Sequence, residues 1–108
     1  LRAVVEADLD PDVSYLAQED LVERQAAYER DEFGIVGVCV EADVLIEGTE
    51  QTLASPGLWG IESDLSEEEL DQIVSEEWAA LRNVLKAVGV PTDQLPREAD
   101  RAWIEWRT

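Results

Sequence analysis

Glu6, Asp8, Asp10 and Asp12 alternate with Ala7, Leu9, Pro11 and Val13, so an extended backbone would throw four carboxylates to one side. Such a row could hold a divalent cation, share protons in acid–base work, or face a cationic partner. The first possibility has a pattern to test. Asp8, Asp10, Asp12, Ser14, Leu16 and Glu19 match the 1, 3, 5, 7, 9 and 12 spacing of an EF-hand calcium loop. Val13, however, stands where that loop needs glycine, and a β-branched residue resists the sharp turn. The residues before it also read as strand rather than helix, so the run is read as a solvated strand exit and no metal is expected. Acid–base work lacks partners. The chain has no histidine and no phosphate-loop, dinucleotide or nucleophile-elbow string. Two carboxylates alone could hydrolyse a glycoside, but among 26 acids some pair always has suitable spacing. No enzymatic activity and no cofactor are expected.

The third possibility fits the composition. Against 26 Asp and Glu there are 8 Lys and Arg, a formal net charge of -18 over 108 residues. A small domain stays in solution with a net charge of roughly 2 to 8 in magnitude. The excess is uneven: residues 1–80 carry 22 acids and 3 arginines, a net of -19, while 81–108 carry 4 acids and 5 bases, a net of +1. Such a field repels nucleic acid and anionic lipid and attracts basic surfaces. Cys39 is the only cysteine, which precludes an internal disulfide and suits the reducing cytoplasm. No apolar run reaches the roughly 18 residues of a membrane span, so the chain reads as soluble.

The elements that must position these acids centre on residues 35–61. Val36, Val38, Val40, Ala42, Val44 and Ile46 recur with period 2, and a second extended run follows, which predicts a β-hairpin. With Gly48-Thr49 as the turn, Val44 would face Leu53, Val38 would face Trp59 and Val36 would face Ile61. Ser55-Pro56-Gly57 predicts a bulge or an edge in the returning strand. Arg2 to Ala7 reads as a strand. Residues 18–31 read as a helix with a stripe of Ala17, Leu21, Gln25 and Tyr28, ended by Gly34. Ser66 and Glu69 form a capping box, and Leu70, Ile73, Val74, Trp78, Leu81, Val84, Leu85 and Val88 predict a helix over 66–88, stopped by Gly89 and Pro91. Glu77 falls within that stripe, so it is expected to be partly buried, with an Arg, Trp or Tyr partner.

The expected architecture is one compact α+β domain over 1–108. It is a small antiparallel sheet, made of the hairpin and the N-terminal strand, packed against two helices. The tail over 91–108 carries both strand and helix spacing. Ala102, Ile104 and Trp106 favour a short strand. Trp59 and Trp78 fall on apolar faces and are expected in the core, whereas Trp103 and Trp106 could rim a partner site.

The string Ser55-Pro56-Gly57-Leu58-Trp59-Gly60-Ile61-Glu62-Ser63 resembles one found in an uncharacterised family of short acidic proteins of bacteria, phages and plasmids. The resemblance spans roughly residues 10–90 and transfers no catalytic residue. It implies a bacterial or mobile-element setting, where small acidic proteins resemble, in kind, nucleic-acid mimics that block nucleases. The functional expectation is therefore binding to a basic protein, as a nucleic-acid mimic. A structural or assembly protein with a solvated acidic surface, and an immunity protein or antitoxin for a basic toxin, are the alternatives. The candidate partner-binding residues are Glu6, Asp8, Asp10 and Asp12 at the strand exit, Glu41 and Asp43 on the hairpin, and Glu67, Glu68 and Asp71 at the helix start.

Overall fold

The computed structural model describes residues 1–9, 11 and 13–107, apart from the side chains of Glu19 and Thr92. Asp10 and Asp12 therefore lie outside the described residues. The elements are β1 (Arg2–Ala7), α1 (Val22–Glu29), β2 (Ile35–Ile46), β3 (Thr49–Ala54), β4 (Leu58–Glu62), α2 (Glu67–Ala87) and β5 (Ile104–Trp106), an α+β fold. Short 3-10 turns lie between some of them.

The long strand β2 is the spine of a mixed sheet ordered β3-β2-β1-β5, with β4 also paired to β2. β1 runs antiparallel to β2, placing Val5 opposite Val38 and Glu6 opposite Gly37. The tail forms the expected strand, β5, parallel to the far side of β1. The valines at even positions of β2 face α2, and with Ala3, Val5, Leu70, Val74, Trp78, Leu81 and Leu85 they form the main core.

The hairpin turn is Glu47-Gly48 rather than Gly48-Thr49, with Ile46 opposite Thr49. Glu47 has φ 52° and Gly48 has φ 80°, and a two-residue turn of this kind needs positive φ at both positions. Thr49 is β-branched and resists it, whereas Gly48 adopts it without strain. Leu53 accordingly pairs with Ala42, and Val44 with Gln51. The slip of two preserves the alternation, so the same residues still face the helix. The slip is taken up one residue at a time, at Ser55-Pro56-Gly57 and between Val36 and Val38: Val36 meets Ile61 as expected, but Val38 meets Leu58 instead of Trp59.

Ser55-Pro56-Gly57 does interrupt the returning strand, separating β3 from β4. Ser55 is buried and exchanges two hydrogen bonds with Val40, accepting from its N–H through Oγ (3.0 Å) and donating its own N–H to the carbonyl (2.9 Å). The N–H of Gly57 donates to Glu77 Oε1 at 2.7 Å. Glu77 is thus partly buried, and its partner is a backbone amide rather than an Arg, Trp or Tyr side chain.

α2 begins at the N-cap Ser66, whose Oγ accepts from the N–H of Glu69 (3.1 Å). It ends as Gly89 turns left-handed and Val90 N–H bonds back to Leu85 (3.0 Å). The first helix is shorter than expected. Residues 14–17 and 19–21 form separate 3-10 turns, because Gln18 between them is extended. Asp31, at φ 58°, follows the helix in the left-handed role assigned to Gly34. Burial here comes from Leu16 and Phe33, which close on Ile35 with Ala27 and Tyr28, while Ala17 is exposed. Ile35 is an odd position of β2, so this smaller cluster caps one end of the sheet face opposite α2.

Candidate functional site

The odd positions of β2 and the even positions of β1 form the sheet face turned away from α2, where acids and arginines flank the buried Val4 and the face is mostly polar beyond Ile35. Arg2 lies on it. Its Nε donates to Glu41 at 2.7 Å, and its two terminal nitrogens form a fork on Asp43 at 2.7 and 3.1 Å. Thr52 adds a hydroxyl to Asp43 at 2.7 Å. These bonds, Arg2 first, hold the Asp43 carboxyl at about 2, below its ordinary 3.8. Arg107 reaches Glu41 at 3.6 Å and Glu105 at 3.5 Å. Glu6 lies on the same face beside Gly37, and among the described residues it has no ion pair.

The indole of Trp59 covers Gly37, occupying the space that a side chain there would need. Trp59 is 48% exposed. It is therefore a plate on the polar face rather than the core residue expected. The β-bulge redirects it: Gly60, at φ 77°, breaks the alternation that would place Trp59 on the same side as Ile61. Trp78 is in the core, and Trp103 packs edge-on against it at 5.4 Å. Trp106 is exposed.

The other candidate acids lie on the opposite side of the sheet. Asp71 is bound by Arg101 at 2.6 Å, Glu67 lies 3.6 Å from the same arginine, and Glu68 is exposed with no ion pair among the described residues. The structure brings Glu6, Glu41 and Asp43 together on one face, and Glu67, Glu68 and Asp71 together on the other layer. It does not join the two groups into one row. β1 ends at Ala7, so the alternating strand geometry stops before Asp8, whose N–H bonds to Ile35 at 2.9 Å. Val13 has φ -106°, not the left-handed turn of a calcium loop. Among the described residues, no three of His, Cys, Asp or Glu are grouped to hold a metal ion, and no helix is long and apolar enough to cross a membrane.

Compared with known protein families, curated proteins and solved structures, the chain matches none.

Sequence reasoning missed Trp59, Arg2 and Glu105 as members of this face, although the alternation did place Gly37 opposite the valines. A glycine inside a strand, one position from an apolar repeat, was the available signal, since it marks close approach of another group. Cys39 lies at the centre, between Gly37 and Glu41. Burial first, then Glu41, Glu6 and Glu77, push its thiol above the ordinary range, with Arg107 opposing. The thiolate is the nucleophile, so Cys39 should alkylate with iodoacetamide at pH 7 more slowly than free cysteine. A rate equal to that of the free amino acid would contradict this picture of the face.

Proposed function

We propose that the chain acts by binding a basic protein surface and competing there with nucleic acid. The observation that carries this reading is where the uncompensated charge lies. Arg2, Arg24, Arg30, Arg101 and Arg107 are engaged with the chain's own carboxylates. Glu23 and Glu29 on α1, Glu47 and Glu50 at the hairpin turn, and Glu68 on α2 are exposed and without an ion pair among the described residues. They lie on three separate elements of a slender body with extents of 53 × 24 × 20 Å. A duplex 53 Å long carries roughly 31 backbone charges, at one per ~1.7 Å, against the net -18 of this chain. A body of the same length thus carries more than half the net charge of a duplex, which favours competition for a cationic groove.

The test is capture from a bacterial lysate on the immobilised chain, with captured proteins identified by mass spectrometry. A nucleic-acid-binding protein should be retained at low salt, released as salt rises, and displaced by added duplex DNA. Capture of nothing basic, or capture insensitive to both salt and DNA, overturns the reading.

A further inference from the structure

Between the cap at Ile35 and the projecting hairpin, the polar sheet face carries Trp59, half exposed, over the buried Gly37. We infer that a basic partner docks on this face, with an arginine of that partner lying on Trp59 and reaching Glu6. The inference rests on the proposed function and names the face and the side chain it would use.

Trp59 is held as a plate by two glycines. A Cβ at Gly37 would clash with the ring carbons of the indole, and one at Gly57 would come to 3.0 Å from its Nε1. One face of the ring rests on backbone, and the residue remains 48% exposed. The neighbour across the strand from Gly37 is Glu6, so a carboxylate stands beside the plate. Glu41 and Glu105 lie farther along the same face, where Arg107 spans them. Arg2 and Arg107 show that this face accommodates guanidinium groups, and Glu6 is the carboxylate they leave without an ion pair among the described residues.

A planar guanidinium can stack on an indole and offer two N–H groups to a carboxylate at once, which an ammonium cannot do. The site therefore favours arginine over lysine. A nucleic-acid base could also stack on Trp59, but its phosphates would enter the field of Glu6, Glu41 and Asp43. A second copy of the chain would bring a further -18 to the contact.

The experiment titrates the 15N-labelled full chain with tetra-arginine and tetra-lysine peptides at physiological salt, where exposed charges are screened within ~8 Å. The expected result is saturable shifts centred on the Trp59 indole N–H and the amides of Gly37 and Glu6, with tetra-arginine binding severalfold more tightly. Trp59→Ala and Glu6→Gln should each weaken tetra-arginine about fivefold, Trp59→Tyr should retain most of the affinity, and Glu68→Gln should change it less than about twofold. Equal binding of both peptides, shifts equally strong at the hairpin turn and the start of α2, or unchanged affinity in Trp59→Ala and Glu6→Gln would overturn the site. So would shifts at Trp59 that depend on protein concentration alone, which would indicate self-association. The two readings can fail separately. A partner captured equally well by wild type and Trp59→Ala removes this face and leaves the proposed function, whereas failure of wild type to capture any basic protein removes the function whatever the peptides do.

Discussion

Trp78→Ala is expected to cost about 3–5 kcal/mol and to release the C-terminal segment along with the core. Trp78 is 2% exposed and lies among Leu70, Val74, Leu81 and Leu85. Its Nε1 donates to the Pro96 carbonyl at 3.2 Å, and Trp103 meets its ring edge-on at 79°. One side chain therefore joins helix, sheet and tail. A chain of this length has a total stability of roughly 5–16 kcal/mol, so at the lower end the variant would be mostly unfolded. Urea denaturation followed by circular dichroism measures the loss. Trp59→Ala is the internal comparison, and it should cost much less because its ring is only partly covered. A cost below about 1 kcal/mol for Trp78→Ala would show that the tail and α2 are not packed as described.

Salt should stabilise this protein, and so should mild acid. Two electrostatic effects oppose each other. The ion pairs of Arg2, Arg24, Arg30, Arg101 and Arg107 weaken as salt rises, but exposed pairs contribute only about 0–1 kcal/mol each. Repulsion among the carboxylates behind the net -18 acts across the whole surface and is screened by the same salt. Repulsion should win, raising the melting temperature by about 4–8 °C per kcal/mol recovered between low and moderate salt. Lowering the pH from 7 towards 5 begins to neutralise carboxylates and should act in the same direction. Further acidification reverses it. Asp43 is held at about 2, below its ordinary 3.8, by Arg2 and Thr52, and Asp64 is lowered by Arg24. A depressed carboxyl contributes stability that is complete above its ordinary value and disappears as the pH falls through the folded one. For Asp43 that window runs from 3.8 down to about 2. Thermal melts across salt and pH test both arms, and a melting temperature that falls steadily with added salt would mean that the ion pairs dominate.

Where one physical signal acted alone, the sequence was readable. The α2 stripe and its Ser66 cap predicted the helix nearly to the residue, and the even valines of β2 marked the core face. The turn was misplaced by one residue because Gly48 suits either choice, and only the exclusion of β-branched Thr49 from positive φ decides between them. The first helix was overextended because its apolar stripe was thin, and tertiary closure of Leu16 and Phe33 on Ile35 determined the local path instead. The candidate site was harder to read. Alternation alone would have placed Trp59 with Ile61 in the core, and what reverses it is an irregular pairing with no strong sequence signature. Likewise, acids that look equivalent in the chain differ in the fold. Asp43 and Asp71 hold arginines of their own, whereas Glu6 and Glu68 do not.

The pairing of β5 with β1 bears on the order in which the chain assembles. Ala3 pairs with Ile104 and Val5 with Trp106, so this contact closes a loop of roughly 100 residues, whereas the β2–β3 hairpin closes across two. During synthesis, β2 can pair with β1 as soon as it emerges, and α2 can cover their apolar face soon after. The outer edge of β1 must wait. Until β5 arrives, a valine-rich strand has one line of backbone groups unsatisfied, and the growing chain is open there to pairing with another strand.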